Sequence, residues 1–267
     1  MIKILKYLNL CFFILMIVTN AAANIMPIGH GTTGEISDKY PNLFTPAGIT
    51  FFIWGVIYIL LLIFSIYQLG VFNDQMIYRT IVELIGPWFI ISCIFNIAWL
   101  LSWHYDVIWA SVVIMVALLI TLIIITAKIS THSVDYATGI SNLTFFAKLT
   151  MCAFDLYLGW ITVATIANIS VFLVKIDWNR FGLSSQLLTI IMLIIGTVIG
   201  VLFVARNQRY MSAIAVIWAY CGILIKHISP SGFNSEYPAI IAVAIIGIVA
   251  ILSTIVIRLM FSSTATI

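Results

Sequence analysis

The sequence predicts an all-α polytopic membrane protein. Of its 267 residues, 63% are hydrophobic and only 8% are charged, whereas soluble domains carry about 25% charged residues. Apolar runs near the roughly 20 residues that cross a bilayer as a helix recur along the whole chain. The net charge of only +3 gives no support to nucleic-acid binding.

Eight segments have the length and composition of membrane-spanning helices. The connections between them are short, apart from the first loop, residues 24–47, whose glycines and prolines favour turns. The predicted helices are residues 4–23, 48–67, 84–103, 108–127, 145–172, 187–205, 210–228 and 238–258.

The first predicted helix has two interpretations. Lys3 and Lys6 precede an apolar stretch that ends in Ala21, Ala22 and Ala23. This order also resembles a signal peptide followed by its cleavage site. The uncharged run continues past Ala23, which favours a retained helix over a cleaved segment.

The basic residues predict the orientation. An even number of spans places both termini on one side of the membrane. With both termini in the cytoplasm of a bacterial cell, the basic residues on the inside outnumber those on the outside, as the positive-inside rule requires. The inside set is Lys3, Lys6, Arg79, Lys128, Lys148, Arg206, Arg209 and Arg258, and the outside set is Lys39, Lys175, Arg180 and Lys226.

The start of the second helix carries a distinct pattern. Thr45 and Pro46 end the first loop, and we expect Thr45 to cap the helix and Pro46 to occupy its first position. Phe51, Trp54 and Tyr58 follow at three- and four-residue steps, which places their rings on one side of the helix.

The third and fifth helices carry similar stripes. Asn96 and Trp99 share one face of the third helix, and Asn96 should point inward, because an unpaired amide in lipid is costly. The sequence is compatible with two roles for Asn96, a hydrogen bond between helices and a contact with a ligand. In the fifth helix the stripe is Tyr157, Trp160, Ala164 and Asn168. Such stripes are typical of core packing and also of a mostly apolar pocket with a few polar groups.

Asp155 is the acidic residue that lies deepest in an apolar segment, and such carboxylates are functional candidates. At 100° per residue it lies about 140° around the helix from Trp160, away from the aromatic stripe. Lys148 lies seven residues earlier on the same side as Asp155. The sequence is compatible with three interpretations of Asp155: a water-bridged ion pair with Lys148, a protonated carboxyl, or a site of proton transfer.

The sequence predicts no metal site, no resident cofactor and no enzymatic activity. It contains no phosphate-binding glycine loop, zinc motif or nucleophile with a base. His104, His132 and His227 lie near helix ends and His30 lies in the first loop, and none has a partner at metal-ligand spacing. Gly196 and Gly200 form a GxxxG motif in the sixth helix, which indicates packing within the chain more than a homodimer contact.

Three motifs together resemble the TspO/MBR family, the tryptophan-rich sensory proteins related to the mitochondrial translocator protein. The second helix opens with FTPAGITFFIWGVIY, which is similar to the family's proline- and tryptophan-containing start of that helix. The third helix matches the family's F-N-x-x-W. The matching positions of the third and fifth helices are Phe95, Asn96, Trp99, Tyr157, Leu158, Trp160, Ala164, Thr165 and Asn168.

The resemblance implies a five-helix bundle over residues 1–180, with a pocket closed by the first loop, and a three-helix extension over residues 181–267. It also implies binding of a hydrophobic small molecule, such as haem or another porphyrin, or a lipid, for sensing or transport. The expected ligand-binding residues are Trp54, Tyr58, Asn96, Trp99, Tyr157, Trp160, Ala164 and Asn168, with Thr45 and Pro46 at the entrance. A secondary transporter or permease subunit that uses Asp155, and an assembly partner without a small ligand, are the alternatives.

Overall fold

The computed structural model describes residues 2–26, 28–29, 31–71, 75–130, 134, 138 and 143–264. The described part of the chain is helical and contains no strand. Short 3-10 turns cover Gly48–Phe52 and Arg180–Gly182. The α-helices, labelled in chain order, are α1 (Ile2–Ile25), α2 (Thr33–Asp38), α3 (Ile53–Tyr67), α4 (Gln75–Ile85), α5 (Trp88–His104), α6 (Ile108–Lys128), α7 (Phe145–Lys175), α8 (Ser185–Asn207), α9 (Tyr210–Ile228) and α10 (Pro238–Thr264).

The membrane-spanning helices confirm the predicted fold class. Within the described ranges, seven helices are long and apolar enough to cross a membrane. They are Ile4–Ala23, Gly48–Tyr67, Ile108–Lys128, Phe145–Lys175, Ser185–Asn207, Tyr210–Ile228 and Pro238–Phe261. Their bounds lie within a few residues of the predicted segments. The chain is therefore a multi-pass all-α membrane protein.

The predicted third helix, residues 84–103, is a bent pair. Met76–Ile85 and Trp88–His104 together have the length and the apolar composition of one membrane span, but the two helices meet at an angle of 54°. Gly86 between them has a φ of +55°, and Pro87 has no N–H to continue a helix. The span count is eight if this pair crosses the membrane as one unit.

The second helix does not begin as predicted. Its first helical residue is Gly48, and Ala47 is the N-cap, without a capping side chain. The prediction that Thr45 caps the helix and Pro46 opens it is therefore wrong. The side chain of Asn42 accepts hydrogen bonds from the backbone and the hydroxyl of Thr45, and this turn keeps Thr45 and Pro46 in the loop.

Helix α7 lies at the centre of the bundle, and α3, α6 and α9 pack along it. The approach of α9 is close. An added Cβ at Gly159 of α7 would lie 2.2 Å from the backbone oxygen of Ser212 in α9. The Ser212 hydroxyl also donates to the backbone oxygen of Asp155. Only a glycine at position 159 permits this spacing.

The last three helices pack against one another and against the rest of the bundle. Added Cβ atoms at Gly196 and Gly200 would collide with Tyr220 of α9 and Ile251 of α10. The GxxxG motif therefore serves packing within the chain. Because α9 packs along α7, these helices are continuous with the first part of the bundle. The division at residues 180 and 181 stays a prediction.

Candidate functional site

Trp54 lies at the centre of a group of aromatic rings that come from α3, α5 and α7. Its ring stacks on those of Tyr58 and Trp99, with centroid distances of 5.5 and 5.9 Å. The rings of Tyr157 and Trp160 meet it edge-on at 5.8 and 6.2 Å. The three aromatic stripes thus meet one another, in the offset and edge-to-face arrangements that aromatic rings prefer.

A small cavity lies beside this group, between the first loop, α3, α5 and α7. We call it the aromatic cavity. Its lining is Thr33, Ser37, Thr45, Pro46, Phe51, Trp54, Trp99, Trp103, Trp160, Val163, Ala164, Ala167, Asn168 and Val171. Its volume of about 30 Å³ is enough for one or two water molecules. A tetrapyrrole does not fit unless the walls move.

The structure divides the predicted ligand-binding residues into two groups. Those that line the aromatic cavity are Trp54, Trp99, Trp160, Ala164 and Asn168, together with the predicted entrance residues Thr45 and Pro46. Tyr58, Asn96 and Tyr157 do not line it. They form a hydrogen-bonded network, and the rings of Tyr58 and Tyr157 contact that of Trp54.

This network includes a residue of α1 that the sequence reasoning missed. The Asn20 amide nitrogen donates to Asn96 Oδ1 at 2.9 Å, and its oxygen accepts from the Tyr58 hydroxyl at 2.7 Å. Asn96 in turn donates to the Tyr157 hydroxyl at 2.9 Å. The signal that identified Asn96, an amide inside an apolar helix, was present at Asn20 as well. We call these four residues the amide network.

Asn168 fixes the position of one cavity wall. Its side-chain oxygen accepts a hydrogen bond from Trp99 Nε1, and its amide nitrogen donates to Ser111 Oγ, both at 2.9 Å. Both polar atoms of this buried amide are therefore paired within the protein. Asn168 holds the Trp99 indole in place, and another polar group of the cavity lining belongs to a neighbouring side chain.

Trp160 provides that polar group. Its side chain is 2% exposed, and its Nε1–H has no hydrogen-bond partner among the described residues. The indoles of Trp99 and Trp103, which line the same cavity, donate to Asn168 and to the backbone oxygen of Thr33. An unpaired buried donor costs about 1–3 kcal/mol. The indole of Trp160, a residue of the cavity lining, thus carries a costly unpaired N–H.

The first loop closes the aromatic cavity and is held by several contacts. Trp103 Nε1 donates to the backbone oxygen of Thr33 at 3.1 Å, and His227 Nε2 donates to the backbone oxygen of Leu43 at 2.9 Å. Lys226 forms an ion pair with Asp38 at 2.9 Å. The loop contributes Thr33 and Ser37 to the cavity lining, and the sequence reasoning named neither.

A polar cluster near the end of the loop adds a further attachment. The Tyr40 hydroxyl donates to Asp106 Oδ1 at 2.6 Å, and Lys175 forms an ion pair with Asp106 at 2.9 Å. Burial acts to raise the pKa of Asp106, but the bonds from Tyr40 and Lys175 outweigh it and hold that pKa below its ordinary value. The carboxylate is therefore charged at neutral pH and ties the loop to α5 and α7.

Asp155 lies away from the aromatic cavity lining and has a direct partner. Its carboxylate forms an ion pair with Arg209 at 2.6 Å. Lys148, the partner considered from the sequence, lines the same polar cavity as Asp155 and Arg209. Arg209 belongs to the turn before α9, 54 residues further along the chain, so helical periodicity could not identify it.

The described residues contain no group of three or more histidine, cysteine or acidic side chains that could hold a metal ion. His104 Nδ1 donates to the backbone oxygen of Ile28, and His227 donates to that of Leu43. Both rings therefore serve to hold the first loop. His30 and His132 lie outside the described residues.

The fold and the aromatic cavity define a multi-pass α-helical membrane protein of the sensor or binding class. A family model described as TSPO-like protein matches residues 6–257, and the chain belongs to this family. The match extends through the last three helices almost to the end of α10. No curated protein and no solved structure matches the chain.

Proposed function

We propose that the protein is a non-enzymatic membrane receptor or carrier, which binds a hydrophobic small molecule in the aromatic cavity. The observation that carries the proposal is the unpaired Nε1–H of Trp160, which lies buried in a wall of indole rings. A flat apolar molecule with a hydrogen-bond acceptor would stack on the rings and pair with this donor. Tetrapyrroles and lipids with carbonyl groups have this chemistry.

Binding requires the aromatic cavity to expand. Sites for molecules of this size measure about 300–1,000 Å³, whereas the cavity measures about 30 Å³. One wall is the first loop, which is attached through side chains such as Asp38, Tyr40 and Trp103 and is not built into a long helix. We therefore infer that the loop moves outward to admit the ligand, while α3, α5 and α7 stay in place.

The orientation follows from the ends of the helices. Lys128, Lys148, Arg206 and Arg209 lie where α6 and α8 end and where α7 and α9 begin, so these basic residues share one end of the bundle. The positive-inside rule assigns that end to the cytoplasm. We infer that both termini are cytoplasmic in a bacterial plasma membrane and that the first loop faces outward.

The variant Trp160→Phe tests the proposal, because it removes the donor and keeps an aromatic ring. We expect the ligand-free protein to keep its stability, since the loss of a buried unpaired N–H, worth about 1–3 kcal/mol, offsets the cost of a smaller ring in the core. We expect its affinity for protoporphyrin to fall by about five- to tenfold, since one hydrogen bond is lost. Tryptophan quenching by protoporphyrin and thermal unfolding in detergent measure the two effects.

Trp109→Phe is the matched control, because Trp109 is 65% exposed on α6 and lies outside the cavity. It should change neither quantity. Unchanged protoporphyrin affinity in Trp160→Phe would contradict the proposed site. Haem and lipids tested in the same titration define the preferred ligand.

Transport through Asp155 is a second candidate, and one observation favours it. Asp155 lines a polar cavity at the basic end of the bundle, which gives its carboxylate contact with that side of the membrane. The ion pair with Arg209 stabilises the charged carboxylate and so opposes proton uptake, which supports a structural role. We expect Asp155→Asn to leave both protoporphyrin binding and the pH dependence of uptake into proteoliposomes the same as in the wild type. Loss of pH-dependent uptake with binding intact would favour the transporter.

A further inference from the structure

A second, larger cavity lies at the basic end of the bundle, between the ends of α6, α7, α8 and α9. We call it the basic cavity. Its volume is about 670 Å³, far larger than the aromatic cavity. Its lining is Thr126, Ile129, Ser130, Lys148, Met151, Cys152, Asp155, Arg206, Asn207, Gln208, Arg209, Tyr210 and Met211.

The charge of the described lining is positive. Lys148, Arg206 and Arg209 are basic, and Asp155 is the acidic group. Asp155 neutralises Arg209 in an ion pair at 2.6 Å. Lys148 and Arg206 form no ion pair with any residue that the structure describes. Within the part of the chain that the structure describes, these two cationic side chains thus have no acidic partner.

The start of α9 adds backbone donors to the same wall. Its N-cap is Arg209, and no side chain caps the helix. The first N–H groups of a helix have no partner within the helix, and those of Tyr210 and Met211 belong to residues of the lining. A helix N-terminus of this kind favours bound phosphate and other anions. Here it lies beside Arg206 and Lys148.

The close contact of α7 with α9 fixes this arrangement. Gly159 allows the two backbones to approach at Ser212, and the Ser212 hydroxyl donates to the Asp155 backbone oxygen at 2.7 Å. Asp155 then holds the Arg209 guanidinium through its side chain. The ion pair therefore positions the turn at the start of α9, and it leaves Arg206 and Lys148 to bind an anion.

We propose that the basic cavity binds the phosphate group of an anionic membrane lipid. Arg206, Lys148 and the first N–H groups of α9 would hold the phosphate. Ile129, Met151 and Met211 in the same lining offer apolar contact to the glycerol and the start of the acyl chains. The basic end faces the cytoplasmic leaflet in the orientation inferred above, and basic pockets between helices on that side bind acidic lipid headgroups.

The test uses the full chain in nanodiscs of phosphatidylcholine, with and without phosphatidylglycerol. We expect native mass spectrometry to show retained phosphatidylglycerol in preference to phosphatidylcholine. Arg206→Gln and Lys148→Gln should each lower the phosphatidylglycerol affinity by about fivefold, the usual effect of one basic residue near an acidic membrane surface. Lys128→Gln is the matched control, because Lys128 is exposed at the same end of the bundle and does not line the cavity.

Inorganic phosphate, added to the protein in detergent, distinguishes the two sources of a phosphate group. If it displaces phosphatidylglycerol at millimolar concentration, the phosphate site is supported and its ligand is a free phosphate. If phosphatidylglycerol is retained in the presence of phosphate, the lipid is the ligand. The proposal is overturned if wild-type protein shows no preference for phosphatidylglycerol and no effect of phosphate. It is also overturned if Lys128→Gln weakens binding as much as Arg206→Gln does.

Discussion

Replacing Gly159 with alanine lowers the stability of the folded protein by about 3 kcal/mol, near the upper end of the usual cost of overpacking. The three atoms nearest to an added Cβ all belong to the Ser212 backbone and lie 2.2, 2.6 and 2.7 Å away. Backbone atoms cannot turn aside as a flexible side chain does. Helices α7 and α9 must therefore separate, which disturbs the Ser212–Asp155 hydrogen bond and the Asp155–Arg209 ion pair.

Unfolding in mixed micelles with rising SDS measures this loss for the Gly159 variant. The matched control is Gly55→Ala, because Gly55 also lies inside a helix but an added Cβ there meets no atom within 4 Å. Gly55→Ala should leave stability unchanged or raise it by about 0.5–1 kcal/mol, through the higher helix propensity of alanine. Equal stability of the two variants would show that α7 and α9 are not in close contact at position 159.

Replacing Asn96 with leucine destabilises the protein by about 2–4 kcal/mol, because two buried polar groups each lose a hydrogen bond. Asn96 is fully buried, and leucine has a similar volume, so the change removes polarity without a large cavity. The Asn20 amide loses its acceptor, and the Tyr157 hydroxyl loses its donor. The same SDS titration measures the change in the free energy of unfolding.

A double-mutant cycle with Asn20→Leu separates the amide network from general damage. Both single variants break the bond between Asn20 and Asn96, so the double variant should lose less stability than the sum of the two. Strictly additive losses would mean that the two amides do not interact. Protoporphyrin binding should weaken in both single variants, since the Tyr58 and Tyr157 rings that support Trp54 lose their fixed positions.

The membrane spans follow from the sequence because the lipid phase imposes a length and a composition on each of them. Local exceptions arise where a side chain or a change in backbone conformation competes with the regular helix. The Asn42 side chain holds Thr45 in a turn and so delays the helix to Gly48. The helix break at Gly86 and Pro87 agrees with these two residue types. The predicted third helix, residues 84–103, nevertheless ran across it, because the segment as a whole is apolar.

The candidate site was predictable in part. Helical periodicity placed Trp54, Trp99 and Trp160 on inward faces, and the structure brings these three into one cavity lining. Periodicity relates residues of a single helix only. It could not show that Asn96 binds Asn20, that Asp155 binds Arg209, or that the Asn168 amide is used by Trp99 and Ser111.

The amide network also sets an order for the synthesis of the protein. Asn20 enters the bilayer first, and until its partners arrive its amide nitrogen has only the backbone oxygen of Met16 to bind. Asn96 follows 76 residues later, and Tyr157 arrives only with α7. The bonds of Asn20 to Tyr58 and Asn96 can therefore form before α7 is made, and the insertion of α7 completes the network through the bond from Asn96 to Tyr157.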